Sequence, residues 1–500
     1  MLLGIDLGTS SIKVVLFAPE RQEIVAQAKT GIRIANPSPE TAEADPGEIW
    51  DALCGLLRQL DTEAPNALDA VRGIGLSVIF PALVPMDSDG RALSPAILYC
   101  DRRSQSQVRS FGEAFGRKRF ERLTGNQLTP GTSTLPGILW LRECAPAVYR
   151  DTAVFGQIST FLVHRLTGEW SVDMSHASLS GMTEAGQEER WSEIILSAAG
   201  IDPERLPPIL PSVDVAGRVT RAAAAQTSLR AGIPVVAGCG DAPLAAFGGG
   251  VIGPGQVFCS AGTTDCLMFS GDRPSGNTMF CNVRCPTPNL WVSIGTMSTA
   301  GAAVKWFCEQ FMTCTPAEMT AWAADAPPGA GGVVFLPYLQ GERTPHWNPD
   351  ARGMFFGLAL TTGRAEAARA VFEGVACGWR QIISLLEDEY GFRPREIITV
   401  GGGSTNDAWN RIKATMLARP VRVLEMTEIT SLGAAMVAGL ACGVYDSPRQ
   451  AVEQTEQLRR CRTIEPVAAW QDACDDTFRR YSELYPAVRP LFGQRDADRA

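Results

Sequence analysis

A chain of 500 residues with 45% hydrophobic and 20% charged residues carries enough apolar material for two to four cored domains, at roughly 100–200 residues each. Its formal net charge of −9 comes without any block of like charges, which excludes an electrostatic footing for nucleic acid or an anionic membrane. No apolar run reaches the roughly 18 residues of a membrane span, and Asp6 interrupts the first one with no basic segment before it, so no secretory leader is expected.

The 14 cysteines are scattered, and the histidines are 3, namely His164, His176 and His346. Cys281 and Cys285 have no second pair to complete a tetrahedral set. Buried thiols in a reducing cytoplasm are therefore expected rather than a metal–thiolate centre.

In chain order, residues 2–6 and 11–17 read as strands joined by the turn Leu7-Gly8-Thr9-Ser10, and residues 23–27 as a third strand, an opening β-meander. The turn gathers backbone N–H groups around Gly8, hydroxyls on Thr9, Ser10 and Ser11, a cation at Lys13 and a carboxylate at Asp6. Such donors suit phosphate oxygens, and the carboxylate suits a hydrated Mg²⁺ ion. Near mid-chain, "GQVFCSAGTTDCLMFS" repeats the pattern around Gly262-Thr263-Thr264, about half the chain from Gly8. Two such hairpins, one per half, would grip a polyphosphate from both sides.

Between them lies "VVAGCGDAPLAAFGGG", residues 235–250, with one carboxylate, Asp241, at a strand-to-helix junction where glycines let a ligand approach the backbone. An equally simple reading makes Asp241 an N-cap before a helix that starts at Pro243. Later, residues 396–400 read as a strand that runs into Gly401-Gly402-Gly403-Ser404 and a helix with Trp409, Ile412 and Met416 on one face. That turn admits a flat ring or a phosphate, and its helix N-terminus favours negative charge. The phosphate loop G-x-x-x-x-G-K-[ST] and the protein-kinase H-R-D and D-F-G set are missing from the sequence.

Together these segments resemble the FGGY carbohydrate kinases over roughly residues 2–443. "GIDLGTSSIKVVLF" and "SAGTTD" resemble the family's two phosphate hairpins, "GCGDAPLAAFG" the segment of the catalytic aspartate, and "VGGGSTNDAWNRIKATMLARPVRV" the adenosine signature. "EITSLGAAMVAGLACG" is similar to the helix that follows, and "FLPYLQGERTPHWNPDARGMFFGL" to the pentulose-kinase branch, which favours a ketopentose acceptor such as xylulose.

The resemblance implies an α/β fold of two ribonuclease H-like domains of the actin and hexokinase superfamily with an ATP cleft between them. The expected domains are 1–242, 243–446 and a helical extension over 447–500. It implies ATP and Mg²⁺ as cofactors, Asp241 as catalytic base, Asp6 and Asp241 at the metal, and a homodimer. Gly8, Thr9, Ser10, Lys13, Gly262 and Thr263 would bind phosphates; Gly402, Gly403 and Asn406 would line the adenosine site.

Acceptor recognition departs from the pattern. Where xylulokinases carry "GQMHGL", this chain aligned on Asp87 has Phe80-Pro81 in place of the Met-His pair that contacts the sugar. A more apolar pocket follows, so another ketose, a deoxy sugar or a polyol of the ribulose, glycerol or erythritol type is the alternative acceptor, and a non-kinase ATPase of the superfamily the alternative class. In "AILYCDRRS", Asp101 matches the sugar-binding aspartate, and the role of Arg103 stays open. Asp173 and Glu342-Arg343 are expected to brace the site, and His346 to be structural. Residues 368–386 carry a core-facing helical stripe through Trp379, as does the last helix through Trp470, Cys474, Phe478 and Tyr481; residues 493–500 are expected to fray.

Overall fold

The opening meander is antiparallel throughout: β1 (Leu2–Leu7), β2 (Ser11–Ala18) and β3 (Glu23–Gly31) pair in sequence. This computed structural model describes residues 1–492, and the expected fraying of 493–500 lies outside them. All six residues of β1 are buried, as a strand covered on both faces requires. α1 (Pro46–Glu63) starts where Asp45 accepts the Gly47 and Glu48 N–H groups with proline at the first turn, and it buries Ile49, Trp50, Leu53, Leu56, Leu57 and Leu60.

β4 (Gly73–Val78) then runs parallel to β1 and places Ser77 beside Asp6. After the short helix α2 (Met174–Leu179) come β5 (Val215–Arg218), β6 (Pro234–Val236) and β7 (Cys239–Gly240). The strand order is β5-β6-β4-β1-β2-β3, with β7 also paired to β4. β7 passes directly into α3 (Asp241–Gly248).

The second unit repeats this pairing. β8 (Val257–Ala261) and β9 (Asp265–Gly271) form an antiparallel hairpin, and β10 (Trp291–Met297) follows. α4 (Arg364–Tyr390) buries the whole expected stripe, including Val371, Phe372, Val375, Trp379, Ile382, Ile383 and Leu386. β11 (Ile397–Val400) lies parallel to β8, as β4 does to β1. α5 (Asp407–Leu417) and β12 (Val421–Leu424) come next. The echo between the two glycine-hydroxyl turns is thus an echo of topology.

Chain order alone groups residues 243–446, yet α6 (Ile429–Ala441) packs with the first unit, which comprises Met1–Ile252, Gly271–Val292 and Glu428–Leu458. The reason is side-chain size. A Cβ on Gly4 would stand 2.0 Å from Ser431 O, and one on Gly75 would stand 1.8 Å from Ala434 O. Only glycines on β1 and β4 let this helix lie on them backbone to backbone.

The second unit takes Gly253–Ser270, Ser293–Thr427 and, of the described residues, 459–492. There β13 (Cys461–Ile464) closes the sheet edge, giving the order β10-β9-β8-β11-β12-β13. α7 (Gln471–Val488) buries Cys474 and Tyr481 of the expected stripe. Phe478 and Trp470 are half-buried instead, under the guanidinium groups of Arg380 and Arg369 at 4.3 and 4.7 Å. Among the described residues no helix is long and apolar enough to cross a membrane.

Gly75→Ala is expected to cost at least about 1–3 kcal/mol by forcing α6 off the sheet. Gly55→Ala, with open space on α1, should instead gain about 0.5–1 kcal/mol. Urea unfolding of the two variants checks this, and equal shifts would contradict the packing.

Candidate active site

Asp241 is the first residue of α3; the cap position belongs to Gly240, and no side chain caps the helix. The Asp241 carboxylate accepts the adjacent Ala242 N–H at 2.8 Å, whereas a capping aspartate reaches two or three residues along. Capping therefore does not account for this residue. Asp241 is half-buried, and burial pushes its carboxyl up to about 7, with the negative charge of Asp6 adding to the rise. The Ala242 N–H and the nearby His176 imidazole offset part of it.

Asp6, at 9% exposure, is pushed up to about 6, again chiefly by burial. Its Oδ1 accepts the Ser77 hydroxyl at 2.8 Å. Two buried acids, the charge of one raising the cost of ionising the other, form a place where a cation is favoured. Their oxygens are hard donors and too few to enclose an ion, which fits Mg²⁺, an ion that keeps several waters and takes phosphate oxygens as further ligands. Among the described residues no group of three or more His, Cys, Asp or Glu side chains that could hold a metal ion occurs.

At the first turn, Gly8 N–H bonds Ser11 O at 3.0 Å and leaves Thr9 and Ser10 exposed. Lys13, expected at phosphate, pairs with Glu428 at 3.1 Å in this structure. At the second turn Thr263 is exposed as well. Gly262 N–H reaches Thr264 O at 3.2 Å and the Asp265 carboxylate at 3.0 Å. Asp265 is fully buried, accepts Trp379 Nε1–H at 2.7 Å and lies 3.9 Å from Lys413 Nζ. That ammonium, also fully buried, sits between the rings of Trp379 and Trp409, 4.2 and 4.0 Å from their centroids. Burial lowers the Lys413 pKa and raises that of Asp265, each partner opposing the shift of the other.

In the glycine-rich turn, Gly401 has φ 103°, and a Cβ there would meet Ala261 O at 2.4 Å. Gly402 faces open space. Asn406 caps α5 by accepting Trp409 N–H, and it donates to Thr320 Oγ1 at 2.8 Å. Its side chain is thus committed to structure at both ends.

Phe80 packs directly on the residue before Asp241: a Cβ on Gly240 would stand 2.6 Å from the Phe80 ring. Pro81, the next residue, is buried as well. Asp101 is buried with both oxygens engaged, accepting Ala42 N–H at 2.8 Å, Arg103 N–H at 2.9 Å and Arg103 Nε–H at 3.0 Å. Arg103 also bonds Glu43 at 2.6 Å and lies over Trp140 at 5.0 Å. Glu342 Oε1 accepts the Ser298 and Arg343 N–H groups, holding one loop against another. His346 stacks on Tyr485, with centroids 3.6 Å apart.

Sequence reasoning missed Ser77, Glu428 and Lys413. Ser77 is the polar residue in an otherwise apolar "GIGLSV". Lys413 falls four residues after Trp409, on the face of α5 that the pattern assigned to the core. A cation at a core position was the available signal.

Two α/β units with matching hairpin turns, one of them ending a parallel strand beside paired acids, define a phosphotransferase of the ribonuclease H-like class. Residues 1–248 match the FGGY family of carbohydrate kinases, N-terminal domain, and residues 257–442 its C-terminal domain. The chain is 30% identical over 500 residues to the xylulose kinase of Escherichia coli (strain K12), covering 98% of this chain and 100% of that one. It is 27% identical over 460 residues to a gluconokinase of Bacillus subtilis (strain 168), covering 89% and 88%. The crystal structure of xylulose kinase from Rhodospirillum rubrum matches with a TM-score of 0.90 at 29% identity, covering 99% of this chain and 100% of that one. The chain belongs to the FGGY family of carbohydrate kinases, enzymes that phosphorylate sugars with ATP.

The raised Asp241 pKa has a stability consequence. Its folded value, about 7, lies above its ordinary value of 3.8, so the folded state holds this proton more tightly and loses stability as pH rises between the two. Asp241→Asn is expected to raise Tm, by more at pH 8 than at pH 5. Calorimetry at both values checks this, and a gain that does not grow with pH would contradict it.

Proposed function

We propose that this enzyme transfers the γ-phosphoryl of ATP to a hydroxyl of a ketopentose of the xylulose type, with Asp241 as general base. One observation carries the reading: a carboxyl held near pKa 7 at the first residue of a helix, beside a second acid. A base poised near neutrality suits proton removal from an alcohol as its oxygen attacks phosphorus. In-line transfer leaves little covalent work for the protein, so positioning and charge complementarity carry the acceleration.

Asp6 and Asp241 would hold Mg²⁺, which supplies Lewis-acid neutralisation of phosphate charge when bound. The turns bearing Gly8, Thr9 and Ser10, and Gly262 and Thr263, would donate to phosphate oxygens, with Lys13 released from Glu428 to join them. Gly402 and Gly403 would receive the adenosine against bare backbone, and Asn406 would shape that surface through its cap. Asp101 would act on the sugar through the orientation it gives Arg103. In this reading residues 1–242 serve the acceptor, residues 243–446 the nucleotide, and residues 447–500 extend the second half. A homodimer in a reducing cytoplasm completes it, consistent with 14 cysteines of which none forms a disulfide among the described residues.

The packing of Phe80 on Gly240 favours a second acceptor class, ketoses or polyols lacking one hydroxyl. ADP release with D-xylulose, D-ribulose, gluconate, deoxyketoses, glycerol and erythritol decides between them. The expected result is a kcat/KM of about 10⁴ M⁻¹s⁻¹ or more for a ketopentose. Faster turnover of a deoxyketose or polyol would select the second class, and ATP hydrolysis indifferent to every acceptor would contradict both.

A further inference from the structure

Phe80 lays an apolar surface beside the proposed base, but a buried imidazole lies against it. The Phe80 and His176 ring centroids are 5.5 Å apart with the planes at 58°. His176, on α2, is fully buried, and its Nδ1 meets Asp173 Oδ2 at 2.5 Å. A carboxylate only accepts, so Nδ1–H donates in this bond and Nε2 is the ring atom left to bond another group. Among the described residues that Nε2 has no hydrogen-bond partner, and it has no contact with solvent.

The imidazole is held in place. Asp173 Oδ1 accepts the Ser175 N–H at 2.9 Å, the His176 N–H at 3.2 Å and the Ser175 hydroxyl. Ser175 Oγ in turn accepts the Gly240 N–H at 2.7 Å, which ties the start of α2 to the residue preceding Asp241. A buried polar atom with no partner is a standing cost that most folds remove. Here it is kept, oriented by a fully bonded carboxylate, and adjacent to the strand end that carries the base.

We propose that His176 is a specificity-determining residue: its Nε2 makes a hydrogen bond with one hydroxyl of the acceptor sugar, and the Phe80 ring shifts to admit it. This rests on the sugar-kinase reading above and deepens it. The imidazole that Phe80-Pro81 does not supply comes instead from a different element of the same unit, so the pocket keeps one oriented ring nitrogen within an apolar wall. A site built to bond a hydroxyl discriminates against the analogue lacking it far better than an apolar wall does.

The test pairs two substitutions that separate the ring's nitrogens. The side-chain amide of His176→Asn can take the place of Nδ1 at Asp173 and removes Nε2; that of His176→Gln reaches the Nε2 position. His176→Asn is expected to raise the acceptor KM about tenfold while the ATP KM stays within twofold, and His176→Gln to recover most of the loss. One deoxy analogue should be about tenfold weaker than its parent with wild-type enzyme and equal to it with His176→Asn.

Because the chain has 3 histidines, ¹⁵N spectra of wild-type imidazoles give a readout that needs no variant to fold: acceptor alone should shift the His176 Nε2 resonance. An unmoved resonance, or an acceptor KM unchanged in His176→Asn, overturns the assignment while leaving the kinase reading intact. A wild-type enzyme that phosphorylates no sugar overturns the kinase reading itself, and the His176 assignment with it.

Discussion

Four glycines set the geometry on which the first unit depends. α6 lies on β1 and β4 through Gly4 and Gly75, and it meets α3 where a Cβ on Gly248 would stand 2.2 Å from Ile429 O and one on Gly433 2.6 Å from Leu244 O. One helix is thereby locked by its backbone both to the strand that carries Asp6 and to the helix that begins with Asp241. Any side chain in this seam would move one acid relative to the other. Close approach also keeps water out, and lost hydration is the largest cause of the raised pKa of both acids. The site is therefore held in a state its own charges oppose, a cost that the packing around it must meet.

The second unit pins its hairpin by glycines and by an ion pair together. A Cβ on Gly301 would stand 2.4 Å from Gly262 O and one on Gly401 2.4 Å from Ala261 O, while Asp265 fixes the turn through Gly262 N–H and is itself fixed by Trp379 and Lys413. A buried ion pair contributes little net stability, yet removing either partner strands a charge in the core. Lys413 between two indole faces, bonded to no other described residue, makes that dependence unusually complete. Its value lies in fixing where the turn sits, since donors aimed at phosphate must be in place before the nucleotide arrives.

Much of this was legible in the chain. The meander, the paired hairpins and the α4 stripe follow from alternation, glycine placement and helical spacing, which are local signals. Asp241 stood out as a lone carboxylate among glycines and small apolar residues, although the same residues also allowed an N-cap, which its place as the first helical residue excludes. What escaped was relational. The membership of α6 in the first unit depends on glycines hundreds of residues upstream, and nothing local to residues 429–441 announces them. Lys13 reads as a phosphate ligand until Glu428 appears beside it. Lys413 and His176 read as ordinary polar residues, because burial of a charge or an imidazole is decided by partners distant in sequence.

The central claim is that Asp241 takes the acceptor's proton rather than merely shaping the helix start. Single-turnover phosphoryl transfer by Asp241→Asn, measured alongside its equilibrium affinity for ATP, tests it most directly. The account predicts a transfer rate lowered about 10²- to 10⁴-fold with ATP affinity nearly unchanged. Transfer at close to the wild-type rate would contradict it.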